Sequence, residues 1–487
     1  STSRRQRQMC IRDRYMQTRK PLFKGEKKNN LNIGVKGGSF STINPSLLWE
    51  HRFNERISSS ISTEYMYTSG RYKFTYAKKD GYDTTAVRQN GDVRMLRLEN
   101  AFFGKVPKGE WKAKAYLYNS ERGYPGAAVR EEPGKFRHQD RQWDTNLFVQ
   151  GSFQNYFKPW YSLLANGKYA YDYLHYLSDP RLDVTTMYVD NHYRQQEIYA
   201  SAAHLFTIYP WWSMSLSNDF QWNTLRADLI DFVYPTRNTI LTSAATSFDF
   251  NHLMLQASLL YTHVDDNTRT KGANAGTKNK YTPSVIATWQ PLTKFPLNVR
   301  AFYKKVFRMP TLNDLYYTFI GNKDLKPEYT TQYDVGITFS HTWNNHWLKS
   351  LDLQIDGYYN EVDDKIIAMP TSNQFRWTMI NLGHVEIRGL DAAIRGEWGF
   401  GKVELSTLFN YTYQKAQDFT DPTSEWYGGQ IPYIPWHGGS IILNGSYQTW
   451  SCNYSFIYTG ERYEAVANIP ENLSLIHISE PTRLRCI

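Results

Sequence analysis

Apolar and polar residues alternate along most of the chain with a period of two, the spacing of a β-strand that turns one face to an apolar medium. Val403, Leu405, Thr407, Phe409, Tyr411 and Tyr413 are interleaved with Glu404, Ser406, Leu408, Asn410, Thr412 and Gln414. Trp212, Met214, Leu216, Phe220 and Trp222 alternate with Ser213, Ser215, Ser217, Asp219 and Gln221, and Asn218 alone breaks the apolar row. Leu351, Leu353, Ile355 and Tyr359 repeat the pattern against Asp352, Gln354, Asp356 and Asn360. So do Trp450, Cys452, Tyr454, Phe456 and Tyr458 against Ser451, Asn453 and Ser455, which makes Cys452 an apolar-face residue and not a reactive thiol. No heptad pattern or helix-length amphipathic segment competes with these strands.

The alternating segments run to about ten residues or more, beyond the 5–6 usual in soluble sheets and matching a tilted membrane-crossing strand. Tight turns are predicted at Phe157–Trp160, Tyr209–Trp212, Phe250–Leu253, Pro291–Pro296 and Glu397–Gly401. Between them lie long polar loops at 70–92, 123–143, 177–195, 225–237, 265–280, 308–330, 363–377 and 417–437. Tight turns on one rim and long loops on the other are the connectivity of an up-and-down transmembrane barrel. Counting segments from Leu31 to Thr459 gives about 19 strands, too many for a barrel filled by its own side chains, so the lumen must hold water or a plug. The predicted fold class is therefore all-β: a transmembrane, antiparallel, up-and-down β-barrel with its apolar face toward lipid. Burial of Leu405, Phe409, Leu353 and Trp212 in a core would refute it.

Composition agrees once the period is known. A barrel needs every second residue polar, so a mean hydropathy of −0.60 excludes only helical membrane proteins. Apolar runs such as Ser258–Tyr261 are a few residues long. Three cysteines among 487 residues cannot build a disulfide scaffold, and no paired Cys/His spacing of a structural zinc site is present.

The formal charge of +10 would suggest nucleic acid, but much of it sits at the two ends. Met9-Cys-Ile-Arg12 with the first base of Asp13 can be written ATGTGTATAAGAG. Its reverse complement, with one base added in front, encodes Ser474-Leu-Ile-His477 and begins Ile478. Residues 1–14 and 473–487 thus resemble a transposon-type sequencing adapter translated from both sides, and are set aside as foreign. Without their seven basic and two acidic residues the charge falls from +10 to +5, and the case for nucleic acid loses its main support. What remains, 15–472, is read as part of one barrel.

Within that span, Phe307-Arg-Met-Pro-Thr-Leu-Asn-Asp-Leu-Tyr316 is followed by Gly321-Asn-Lys-Asp-Leu-Lys-Pro-Glu328 and a new strand. The pair resembles the barrel signature of TonB-dependent outer-membrane receptors. Asn381-Leu-Gly-His-Val-Glu-Ile-Arg-Gly389-Leu-Asp391 is similar to a later segment of that family, and Asn119–Gly126 to a strand-to-loop passage of its vitamin-B12-receptor branch. Tyr15–Pro21 and Gly34–Phe40 resemble the family's first and second barrel strands. The resemblance singles out Arg308, Pro310, Leu315, Tyr316, Gly321, Asn322, Leu325, Pro327, Glu328, Asn381 and Gly389 as loop-base residues that shape the loop and do not touch substrate. Pro310 and Pro327 cannot donate to a ladder and suit points where strands leave and re-enter the wall; Arg308 and Glu328 would flank the loop base and could pair there.

The resemblance implies a barrel of 22 strands in the outer membrane of a Gram-negative bacterium, with about 19 captured here and with the plug and the TonB-binding segment outside this sequence. It implies energy-coupled uptake of a bulky scarce nutrient, such as a ferric siderophore or a corrinoid, with TonB and membrane lipid as partners. A passive porin shares the alternation but is not expected to carry the paired motifs. A soluble extracellular glycan-binding β-protein would have shorter strands with apolar faces inward.

Loop aromatics Tyr124, Trp143, Tyr234, Trp377 and Trp426 are candidates to stack on a ligand. Asp80, Asp83 and Asp92 share one loop, but their spacing is not that of an EF-hand and solvated acids are expected there. The twelve histidines show no HExxH pairing, so neither a metal site nor a cofactor is predicted. Glu404, Asp352 and Asp356 superficially resemble an acid/base set, yet the period spreads them along a wall with nothing to desolvate them, and no enzyme is expected.

Overall fold

The computed structural model describes residues 19–23, 25–77, 83–125, 140–178, 188–270, 276–292, 295–317, 321–344, 347–370, 377–463, 473–474 and 485–486. Among them, nineteen strands have ten residues or more, from Asn29–Gly38 to Trp450–Thr459. The longest, Trp377–Phe400, has 24.

The chain divides into two compact units, Ser1–Phe157 with Leu164–Ile198, and Lys158–Leu163 with Tyr199–Ile487. In the first, Asn29–Gly38, Thr42–Arg52, Ile57–Thr68, Val93–Val106, Gly109–Tyr124 and Asp140–Lys158 pair antiparallel, each with the next. In the second the ladder runs from Trp212–Ala227 through Thr236–Phe250, Leu253–Asn267, Thr277–Trp289, Leu297–Arg308 and Glu328–Thr342. It continues through Leu348–Pro370, Trp377–Phe400, Val403–Asp418 and His437–Tyr447 to Trp450–Thr459. Neighbour-to-neighbour antiparallel pairing is up-and-down topology.

Burial decides what such a sheet folds against. Along Glu328–Thr342 the buried row is Glu328, Thr330, Gln332 and Asp334, while Tyr333 and Val335 are 44% and 60% exposed. Met214, Leu216 and Phe220 form an exposed row in the same way, and none of Leu405, Phe409, Leu353 and Trp212 is buried. This inverts a water-soluble sheet. Leaving apolar area in water forgoes about 25 cal/mol per Å², a loss that disappears when the row faces hydrocarbon.

Aromatic side chains bound the exposed band. At the tight-turn end of the second unit, Tyr209, Trp211, Trp212, Phe248 and Phe250 stack with neighbouring centroids 5.5–6.3 Å apart. Trp347 lies 5.2 Å from Trp398, and Phe295 lies 5.1 Å from Phe339. A second tier, Tyr303–Tyr333–Tyr359, crosses the same ladder nearer the long loops. From Tyr333 to Phe339 the strand covers roughly 20 Å at 3.3 Å per residue, close to the height of an apolar band between two interfacial girdles.

Several boundaries differ from the sequence expectation. The turn expected over Glu397–Gly401 is narrower: the strand continues through Phe400 and reverses at Gly401, whose φ of +65° favours glycine. Strands begin at Asp140 and Val189, inside the predicted loops 123–143 and 177–195, and reach Pro370 inside 363–377. At these ends both rows carry mostly polar residues, so alternation fades while the ladder persists. The predicted loop 70–92 contains a small pair, Lys73–Ala77 with Asp83–Val87, and the loop 308–330 contains a helix, Leu312–Tyr316.

Candidate functional site

The loop between Leu297–Arg308 and Glu328–Thr342 is built inward from its two ends. Thr311 caps the helix: its hydroxyl accepts from Asp314 N at 3.1 Å, and Asp314 Oδ2 accepts from Thr311 N at 2.8 Å. This reciprocal capping box satisfies two otherwise orphaned donors. Leu312, Leu315 and Tyr316 then turn into the wall, 5%, 1% and 7% exposed. Burial first, and then the Asp266 carboxylate, push the Tyr316 hydroxyl up to about 12, so it stays protonated.

Pro310 is fully buried, and its carbonyl accepts from Arg237 Nη1 at 2.6 Å. The same guanidinium forms a fork on Asp266, with Nε–Oδ1 at 2.5 Å and Nη2–Oδ2 at 2.6 Å, and both residues are buried. Arg308 and Glu328 are cross-strand partners, with Arg308 Nη1 3.5 Å from Glu328 Oε2 and Nη2 3.7 Å from Asp314 Oδ2. Glu328 is 1% exposed and also accepts from Ile366 N at 2.9 Å, which ties the loop base to the next strand.

The returning half of the loop is pegged by two asparagines. Asn322 Nδ2 donates to Met379 O at 2.9 Å, and its Oδ1 accepts from Asp324 N at 3.0 Å. Asn381 accepts from Lys326 N at 2.8 Å and donates to Lys326 O at 3.1 Å and Asp364 O at 2.6 Å. Leu325 is buried behind them and Pro327 is half-buried. Gly321 has no room for a side chain, since a Cβ would stand 2.7 Å from Tyr317 N and O. At Gly389 a Cβ would stand 2.3 Å from the Tyr358 hydroxyl oxygen. All eleven motif residues fall in the second unit, ten of them in or against this loop base; Gly389 lies along the adjoining strand Trp377–Phe400.

The loop aromatics fall in both units. Tyr124 belongs to the first unit and donates to Gln142 Oε1 at 2.7 Å; Trp143, in the same unit, stacks on His175 at 4.5 Å. In the second unit, Tyr234 has Arg269 over its ring at 4.5 Å, and Trp426 is 38% exposed. The side chain of Trp377 lies outside the described residues.

Of the expected acids, Asp80 and the Asp83 side chain also lie outside the described residues, while Asp92 is held by Arg141 through bonds of 3.2 and 2.9 Å. The Arg141 guanidinium keeps the Asp92 carboxyl below its ordinary value. One expectation is corrected. Asp356 is desolvated: it is 1% exposed and bound by Arg300 at 2.5 Å and Gln354 at 2.6 Å. Asp352 accepts from Ser340 at 2.5 Å and Glu404 from Lys349 at 2.9 Å, so each of the three is engaged in the wall.

Sequence reading missed one cluster. His175, Asp190 and His192, all in the first unit, bring their ligating atoms within 4.8 Å of one another. The Asp-x-His spacing at 190–192 placed two of them on one strand face; only folding supplied the third.

Residues 26–474 match the family described as TonB dependent receptor-like, beta-barrel. The vitamin B12 transporter BtuB of Photobacterium profundum is 30% identical over 190 residues, which are 37% of this chain and 28% of that protein. The siderophore receptor PiuA of Acinetobacter baumannii superposes with a TM-score of 0.67 at 12% identity, over 91% of this chain and 73% of that one. The FrpB iron transporter of Neisseria meningitidis gives 0.70 at 10% identity, over 91% and 71%. The chain therefore belongs to the TonB-dependent receptor β-barrel family, proteins of the Gram-negative outer membrane.

Proposed function

We propose that the protein is the barrel of a receptor that takes up a bulky, scarce nutrient, a ferric siderophore or a corrinoid, in a step energised through TonB. The observation that carries the reading is the family match across 26–474, which takes in the whole loop-base clasp. The similarity to a vitamin B12 transporter favours a corrinoid, and the likeness to siderophore and iron receptors concerns the fold alone. TonB would act through the plug segment of the intact receptor, and the exposed apolar band would be solvated by lipid.

In this reading the motif residues hold the loop and leave substrate contact to exposed rings. Trp426 is the best placed, since Trp143 is covered by His175, Tyr234 by Arg269 and Tyr124 by Arg122. The chain makes and breaks no bonds; Asp352, Asp356 and Glu404 serve the wall. Residues 1–14 and 473–487 are adapter-derived, a reading supported by the complementarity of their coding strings.

The test is uptake by the intact gene, recovered with its natural flanks, in cells lacking their own corrinoid and siderophore receptors. Accumulation of labelled cobalamin or ferric siderophore that stops when TonB is deleted is the expected result. Uptake indifferent to TonB would instead identify a passive channel.

A further inference from the structure

We infer that His175, Asp190 and His192 form a binding site for a divalent first-row transition ion of the zinc type. The cluster joins the strand Tyr161–Ser178 to the strand Val189–Tyr209 near their long-loop ends. His175 Nε2 lies 2.7 Å from Asp190 Oδ1, and His192 Nε2 lies 3.6 Å from the same oxygen. Two imidazole nitrogens and one carboxylate suit zinc, copper, nickel or iron, whereas calcium takes six to eight oxygens. A tetrahedral ion with bonds of about 2.1 Å sets its ligands roughly 3.4 Å apart. The three ligating atoms already lie within 4.8 Å of one another, so tilting the two rings out of their parallel stack closes the set.

Two neighbours equip the site. The Tyr173 hydroxyl is 2.6 Å from His192 Nδ1; by accepting a hydrogen bond there it fixes the proton on Nδ1 and turns the Nε2 lone pair toward the ion. Trp143 stacks on His175 at 4.5 Å and the two imidazoles stack at 3.9 Å, which keeps both rings side by side before any ion arrives. Asp190 and His192 share strand parity with Ile198, which is 44% exposed, while Glu197 of the opposite row pairs with Lys168. The cluster is thus on the outward row of its strand, beyond the apolar band. The ion is a fixture of the outer wall and not cargo on the lumen path. Three protein ligands leave one position for water or another donor.

The experiment is calorimetric titration of the purified chain in detergent with zinc chloride alone, repeated with His175→Ala, His192→Ala, Tyr173→Phe and the control His384→Ala. His384 forms a pair with Asp363 at 2.7 Å and has no third ligand among the described residues. The expected result is one ion per chain, with binding weakened more than tenfold by either site variant and unchanged by the control. Tyr173→Phe, which alters a positioning residue, should cost about tenfold and retain the stoichiometry. Zinc binding that is absent, or equally strong in His175→Ala and His192→Ala, overturns the site. X-ray absorption of the zinc-loaded wild type guards against misfolded variants: two imidazole ligands support the assignment, and an all-oxygen shell refutes it.

Discussion

Two ends of the second unit use the same pair of opposite charges in contrary surroundings. At the loop base, Arg237 and Asp266 have side chains 3% and 4% exposed and meet through a forked pair of bonds. At the tight-turn end, Lys349 and Glu404 meet at 2.9 Å with side chains 51% and 68% exposed. Distance alone would rank them together, but desolvation separates them. Removing one partner of the buried pair strands a charge where water cannot reach it, whereas each exposed partner simply returns to solvent.

The sharpest way to break that comparison is Arg237→Ala, which should lower stability by about 3–5 kcal/mol, measured as a shift in the urea midpoint in detergent micelles. Replacing both partners, Arg237→Met with Asp266→Leu, should recover most of the loss, because no buried charge is left alone. An equal loss in the double variant would mean that the bond to Pro310, and not the ion pair, dominates.

Asn381→Ala comes next. It removes the peg on the exposed Lys326 backbone and the half-buried Asp364 carbonyl, at about 0.5–1.5 kcal/mol because water can replace part of what is lost. The expected sign is faster proteolysis within 309–327 with a smaller change in global unfolding.

A smaller effect is expected in the first unit. The Asp92 carboxyl is held below its ordinary 3.8 chiefly by the hydrogen bond from Arg141. Its contribution is therefore complete above the unfolded carboxylate value and lost as pH falls through the lower, folded one. Arg141→Ala should raise the Asp92 titration toward 3.8 in a carboxylate-labelled spectrum and flatten the acid end of the stability profile; an unmoved titration would exclude the pair as the cause. Smallest of all, Lys349→Ala should leave the unfolding midpoint where it was.

The architecture was legible because the membrane writes in a two-residue period. Rows such as Met214–Leu216–Phe220 and Val335–Ile337 are apolar yet exposed, so strand number and the tight turns followed from the pattern. Where that constraint lapses, the reading lapsed with it. The ends of Asp140–Lys158 and Val189–Tyr209 carry mostly polar residues in both rows and have no alternation to betray them. The five-residue helix Leu312–Tyr316 is too short for a helical period. The residues of the clasp could be named in advance, but not their partners: nothing in the sequence places Asn381 beside Lys326 or Arg237 beside Pro310. His175 and Asp190 met for the same reason, across a loop whose closure local pattern does not encode.

The inverted burial of Glu328–Thr342 bears on how such a chain is born. In water, hiding Glu328 and Asp334 while displaying Val335 is the less favourable arrangement, so a nascent strand has every incentive to flip or to aggregate through its greasy row. The instruction is complete only in the presence of hydrocarbon. Until it reaches the bilayer that row has no favourable medium, and the membrane then acts as the last cofactor of folding.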